Sequence, residues 1–341
     1  MAGELRVCLI GCGRAGMIHA RNFSKNVKGA KLTALCDPFE SSLLAAAEEL
    51  PVAYKYTDYK DVMKNPEIDA VVVVTPTNLH KDITVAAALA GKHVFCEKPM
   101  ADTKEECDIM IKACRDAGVK LQIGFMRRFD KSFMRAKEMC ETGAIGDVTM
   151  VKSNTYGPSE PQEWMYDVRK SYGPLGEVNS HDFDTVRWYA GAEAKAVYAV
   201  GHNFRSPQKA EQYPEWYDTC STTIEFENGI IGVITGAQFV KYGYDSRAEI
   251  LGTKGIVKTG SQQTNSAELI TEDRQIHMDS MDSWRTLFKD AYLAEDQSFA
   301  DCIANDTEPY VTGHDGKMAL ILVNAALRSL LEHRTVEIDA D

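Results

Sequence analysis

Short apolar runs separated by helix-patterned stretches dominate the first third of the chain. Val7-Cys-Leu-Ile10, Lys31-Leu-Thr-Ala-Leu-Cys36, Asp69-Ala-Val-Val-Val-Val74, His93-Val-Phe-Cys96 and Lys120-Leu-Gln-Ile-Gly124 read as strands. The run at 69–74 is β-branched and apolar throughout, as in a strand covered on both faces. A helix through His19-Ala-Arg-Asn22 follows the first strand, and further helices are expected at Ser41–Leu50, Asn78–Ala90 and from Thr103 to about Ala117. Gly91 closes one of these, and Thr103-Lys-Glu-Glu106 opens another as a capping box. This alternation predicts a parallel, doubly wound sheet.

The pattern changes near residue 125. After a helix from about Lys131 to Thr142, strands follow one another without intervening helices: Asp147–Asn154, Ala194–Val200, Cys220–Phe226, Ile230–Gln238, Arg247–Leu251 and Gly255–Lys258. Asn228-Gly229 between two of them is a strong hairpin signal. One more helix is expected near Asp182–Ala190. Two C-terminal ones, Trp284–Asn305 and Asp315–Glu332, could close back onto either domain. The polar-aromatic stretch Asn203–Trp216 reads as a loop or lid. The expectation is an α/β chain with a Rossmann domain over 1–124. An α+β domain with a large, mostly antiparallel sheet is expected over 125–341.

A length of 341 residues suits two domains, each able to bury a core. No apolar run approaches the roughly 20 residues of a membrane span. The strand-like start leaves no room for a signal peptide, so a cytoplasmic location is expected. A net charge of -12 opposes binding to nucleic acid. The nine cysteines form no Cys-x-x-Cys pair, which argues against structural zinc and suits a reducing compartment. Cys12, inside a glycine loop, reads as a small buried filler more readily than as an oxidation-sensitive thiol.

The candidate chemistry begins at Gly11-Cys-Gly-Arg-Ala-Gly16, between a strand and a helix. Glycines there allow a tight turn and close backbone approach to a pyrophosphate facing the helix N-terminus. Gly-x-Gly-x-x-Gly alone is weak evidence, but Asp37 ends the next strand, where a carboxylate can accept from both ribose hydroxyls. Pro38 follows, with no arginine beside it to hold a 2′-phosphate, so NAD is favoured over NADP. Thr75-Pro-Thr-Asn-Leu-His80 lies at the carboxyl edge of the sheet and could line the nicotinamide side; alternatively it is an ordinary loop capped by Thr77 or Asn78. Glu97-Lys98-Pro99 lies at the same edge. Lys98 is either a proton relay or half of a structural Glu–Lys pair. In Gly176-Glu177-Val-Asn-Ser-His181-Asp182-Phe-Asp184, Glu177 and His181 share a face if the segment is helical, which makes His181 a candidate base. Asp182 and Asp184 either cap that helix or orient His181, with capping preferred.

The glycine loop, Thr75-Pro-Thr-x-x-His80, Glu97-Lys98-Pro99, Gly124-Phe-Met-Arg-Arg-Phe-Asp130 and His181-Asp-x-Asp184, in that order, resemble the glucose-fructose oxidoreductase/inositol 2-dehydrogenase (Gfo/Idh/MocA) family. The likeness runs over nearly the whole chain, through Asp315-Gly-Lys-Met-Ala-Leu320. It implies an NAD-dependent dehydrogenase that oxidises a secondary hydroxyl of a sugar, cyclitol or glycoside. It also implies an open-faced C-terminal sheet and homodimers or homotetramers built through that sheet. Lys98 and His181 would flank the substrate hydroxyl, with Glu177 as a third catalytic group and Asn154 as a further substrate residue. The cofactor residues implied are Gly11, Gly13, Arg14, Ala15, Gly16, Met17, Asp37, Thr75, Pro76, Asn78, His80, Glu97 and Arg127.

One departure matters. Inositol dehydrogenases of this family usually carry aspartate four residues before the histidine, and this chain has Glu177. One extra methylene moves the carboxylate by about 1.5 Å, enough to change which hydroxyl is gripped. Glycoside oxidation to 3-keto sugars is therefore an alternative to inositol oxidation. A non-catalytic NAD-binding regulator is a further one, disfavoured because both Lys98 and His181 are present.

Overall fold

The computed structural model describes residues 4–339, which form two compact units. The first runs to Phe129 and takes in Asp290–Leu320; the second comprises Asp130–Lys289 and the chain from Ile321 onward.

In the first unit, β1 (Leu5–Ile10), α1 (Gly16–Lys25), β2 (Ala30–Cys36), α2 (Glu40–Glu49), β3 (Tyr54–Tyr56) and α3 (Tyr59–Lys64) are followed by β4 (Ala70–Val73), α4 (His80–Leu89), β5 (His93–Glu97), α5 (Lys104–Ala117) and β6 (Leu121–Gly124). The six strands are parallel in the order β3-β2-β1-β4-β5-β6, the doubly wound arrangement that the alternation predicts. Every residue of β4 is buried, as its apolar, β-branched sequence requires. The two apolar layers on either face of the sheet include Ile10, Val71, Val73, Ile83 and Met110 on one side and Leu9, Phe23, Val72, Phe95 and Phe299 on the other. Thr103 caps α5 by accepting from the Glu106 amide, and Gly118 ends it with φ +67°.

The second unit contains α6 (Lys131–Glu141), β7 (Val148–Gly157), the short helices α7 (Val168–Ser171) and α8 (Gly173–Glu177), and α9 (Ser180–Ala190). Strands β8 (Ala194–His202), β9 (Thr219–Phe226), β10 (Ile231–Gln238), β11 (Asp245–Gly252) and β12 (Ile256–Ser261) come next, then the hairpin β13 (Gln263–Ile270) and β14 (Ile276–Ser280). The chain continues through α10 (Trp284–Leu287), α11 (Lys289–Ala304), α12 (Gly313–Glu332) and β15 (Val336–Glu337). The large sheet has the order β12-β11-β7-β10-β9-β8-β15 and is antiparallel except for the parallel β10/β7 pair. Asn228-Gly229 makes the β9–β10 turn, with Gly229 at φ +82°. Helix α9 packs on β7 and β10.

Several elements depart from the sequence pattern. The helix expected at Trp284–Asn305 breaks at Phe288, whose buried ring packs edge-on against Phe133. The hairpin β13–β14 was not expected, because nearly all of its residues are exposed and show no alternation to read. Strands β3 and β15 are too short to carry a pattern. Among the described residues no helix is long and apolar enough to cross a membrane.

Candidate active site

In the first unit the carboxyl ends of β1 and β4 meet where the strand order reverses, the crevice in which such sheets bind ligands. Gly11 has φ +104°, and a Cβ there would lie 2.3 Å from the Val74 carbonyl oxygen. A Cβ on Gly16 would lie 2.0 Å from the Gly11 carbonyl oxygen. Both positions therefore demand glycine, whereas Gly13 faces open space, where a phosphate can approach the backbone. Helix α1 begins after Ala15 with no side chain capping it, so its first amides can serve an anion. Arg14 is exposed, Ala15 half-buried and Met17 buried.

Asp37 is buried just past β2. Its Oδ2 accepts from the Cys12 amide (2.8 Å) and its Oδ1 from the Phe39 amide (2.9 Å). Those bonds fix the carboxylate and leave lone pairs for a diol. Cys12 is buried, and burial first, then Asp37, pushes its thiol up to about 12, which makes it inert packing rather than a reactive group. The Thr75 hydroxyl is buried without a hydrogen-bond partner among the described residues, so a donor and acceptor wait at the rim of the crevice. Pro76 and Asn78 are exposed beside it. Neither Thr77 nor Asn78 caps a helix here: the segment is a 3-10 turn, Thr77–Leu79, leading into α4 without a side-chain cap. Glycine cradle, fixed carboxylate and unbonded hydroxyl together fit a dinucleotide with a 2′-hydroxyl.

His80, Glu97 and Arg127 are held by the fold. His80 is buried with Nδ1 at the Pro99 carbonyl and Nε2 at the Thr75 carbonyl, both 2.9 Å, so it braces the Thr75 loop against the Lys98-Pro99 turn. Arg127 is buried in the 3-10 turn after β6. Glu97 ends β5 in a buried position; its Oε2 accepts from the Lys98 amide (2.9 Å) and its Oε1 faces His19 Nε2 (3.1 Å). The carboxylate thus holds Lys98 by its backbone and pairs with an imidazole. Lys98 itself is half-buried.

In the second unit the face shared by Glu177 and His181 does not form. Glu177 is the last residue of α8 and half-buried, Val178 and Asn179 interrupt the helix, and His181 is the buried second residue of α9. The break is fixed by Asn179, whose Nδ2 donates to Asp182 Oδ2 (2.7 Å) and to the Thr235 carbonyl (3.2 Å). Asp182 also accepts from the hydroxyls of Thr155 (2.6 Å) and Ser153, both on β7. It therefore ties α9 to the sheet, and the capping role expected of it is not realised: the cap position, Asn179, makes no side-chain cap bond. Asp184 is likewise buried within α9.

Asn154 lies between Ser153 and Thr155, so strand alternation turns it to the sheet face away from α9, where Nδ2 donates to Asp245 Oδ1 (3.2 Å). The structure does not bring it to His181. Sequence reasoning missed His19, Asn179 and Asp296. His19 carried a readable signal, a polar residue on the inward face of the helix that the glycine loop opens; the other two carried none.

Residues 5–125 match the oxidoreductase family with an NAD-binding Rossmann fold, and residues 137–338 match that family's C-terminal alpha/beta domain. The chain belongs to this family. It is an NAD-dependent oxidoreductase. Among its relatives are a myo-inositol 2-dehydrogenase of Thermotoga maritima, 34% identical over 98% of this chain and 99% of that protein, and an NAD(+) scyllo-inositol 2-dehydrogenase of Bacillus subtilis, 33% identical over 99% and 98%. The crystal structure of scyllo-inositol dehydrogenase from Lactobacillus casei, with NAD(H) and scyllo-inositol bound, superposes with a TM-score of 0.92 at 28% identity, covering 98% of this chain and 99% of that one.

Proposed function

We propose that this oxidoreductase acts on a cyclitol of the inositol class, converting one secondary ring hydroxyl to a ketone. Relatives named for inositol oxidation are similar over nearly the whole chain, and this one observation carries the substrate class. Bound NAD supplies a hydride acceptor at its nicotinamide ring. His181, buried at the start of α9, takes the hydroxyl proton; Lys98, tethered by its amide to Glu97, polarises the oxygen or relays the proton; and Glu177 grips a neighbouring hydroxyl. Gly11, Gly13, Gly16 and the α1 amides hold the pyrophosphate, while Asp37 holds the adenine-side ribose.

Glycoside oxidation is the competing reading, favoured by Glu177 standing where an aspartate is usual. Following NAD reduction on a panel of inositols, free sugars and aryl glycosides separates the two: preferred turnover of an inositol supports the first reading, and preferred turnover of a glycoside replaces it. The proposal extends to a homo-oligomer built through the sheet face opposite α9, where Tyr198, Val200, Ile231 and Leu251 are exposed. Sedimentation showing a monomer would remove that part. A cytoplasmic location is supported by nine free thiols and no disulfide.

A further inference from the structure

His19 sits in the first turns of α1, three residues past the last glycine of the cofactor loop, and is fully buried. Its Nδ1 lies 2.7 Å from Asp296 Oδ1 on α11 and its Nε2 3.1 Å from Glu97 Oε1. Burial pushes the Asp296 carboxyl up, against the pull of His19 and Asn22; with both carboxylates ionised, and so accepting only, serving both requires an N–H on each ring nitrogen, which is the imidazolium. Burial disfavours that cation, but the charges and hydrogen bonds of Asp296 and Glu97 outweigh it and hold the pKa well above the ordinary histidine value. Phe95 and Tyr292 pack against the ring at centroid distances of 5.0 and 5.5 Å, which fixes its plane. Asp296 is itself steadied by Asn22 Nδ2 (2.8 Å), one turn further along α1.

The other end of this chain of bonds is Glu97. Its Oε1 is taken by His19 and its Oε2 by the Lys98 amide. Its carboxyl group also lies flat against Gly124: a Cβ there would fall 2.9 to 3.1 Å from the carboxyl atoms. Pinned on these sides, Glu97 offers the Lys98 amide a fixed acceptor. Such a buried carboxylate needs a counter-charge, and His19 is the cation that it faces.

We propose that His19 is a positioning residue for Lys98: the buried chain Asp296–His19–Glu97 fixes the Lys98 amide with respect to the helix that receives the cofactor phosphates. The proposal rests on the reading of Lys98 as a catalytic group. It gives the buried histidine of α1 a task distinct from packing, because the chain starts on the phosphate helix and ends on the backbone of the lysine. An error of about 1 Å in the placement of a reacting group costs on the order of 100-fold in rate, so a small relaxation of Glu97 suffices to register.

The test is a set of variants assayed with NAD and the best polyol of the panel, alongside NADH-binding fluorescence and thermal melting. His19→Gln is expected to lower kcat by at least about 10-fold while KM for NAD stays within about 3-fold. Because its effect runs through Lys98, adding His19→Gln to Lys98→Met should slow the enzyme no further than Lys98→Met alone. A purely structural role would make the two losses multiply, and that result, or a His19→Gln enzyme keeping more than half of its kcat, overturns the proposal. If His19→Gln does not fold, Glu97→Gln serves in its place: the amide keeps an acceptor for His19 but loses the one for the Lys98 amide. The same kcat loss and the same masking are then expected, and full activity overturns the proposal. A Lys98→Met enzyme that retains more than about a tenth of kcat would instead refute the catalytic reading of Lys98, a separate failure.

Discussion

The two units hold their candidate residues by different means. The first uses backbone: bare amides at the start of α1, glycines packed against the carbonyls of Gly11 and Val74, and a lysine held by its own amide. The second uses side chains: Asn179, Asp182, Ser153 and Thr155 form one buried network that sets the break before α9 and hence the placement of His181. Backbone devices impose residue types at fixed spacings and leave a motif. Side-chain networks close through space and leave none.

The largest effect is expected from Lys98→Met. On the proposed reading the backbone cradle and Asp37 hold the cofactor without it, so turnover should fall by at least about 100-fold with NAD affinity nearly intact. Stopped-flow turnover and NADH-binding fluorescence give the two numbers, and a parallel loss of affinity would show that the cradle depends on the side chain.

Next in size is the network of the second unit. Asp182→Ala removes the acceptor shared by Ser153, Thr155 and Asn179, at a cost of about 2–4 kcal/mol in stability, because buried donors are left unpaired. Urea melts followed by circular dichroism measure this, and a change below about 0.5 kcal/mol would mean that the network does not hold α9 in place.

A smaller effect is expected for Asp37→Ala combined with Pro38→Arg. Loss of a repulsive carboxylate and gain of a phosphate partner should move the NADP/NAD ratio of kcat/KM by roughly 10-fold or more toward NADP. An unmoved ratio would mean that the ribose is read elsewhere.

The smallest is Glu177→Asp. Fold and NAD affinity should be unchanged while the ranking of polyol and glycoside substrates shifts, since only the reach of one carboxylate changes. If Glu177 serves only α8, the ranking on the same panel stays as it was.

Much of the first unit was legible because its elements are coded locally. β4 is apolar at every position, Gly11 and Gly16 admit no side chain, and Asp37 follows the second strand at the spacing a ribose contact needs. Two of the candidate residues have side chains placed by groups that the local pattern does not show. His80, a candidate cofactor residue, places its ring nitrogens at the Thr75 and Pro99 carbonyls. The face on which Asn154 lies is set by strand phase on β7, which becomes visible only once Ser153 and Thr155 find Asp182.

The parallel doubly wound sheet, the glycine cradle and the use of NAD follow from the sequence alone. Each is a matter of local geometry: a φ that only glycine tolerates, a strand buried on both faces, a carboxylate at a strand end. Tertiary structure alone decided that Asp296 reaches His19 from 277 positions away, that Phe288 breaks a helix to bury its ring, and that Gly236 must lack a side chain because Asn179 fills its place. A buried polar group must find its partner wherever the fold brings one, and no spacing along the chain records where that will be.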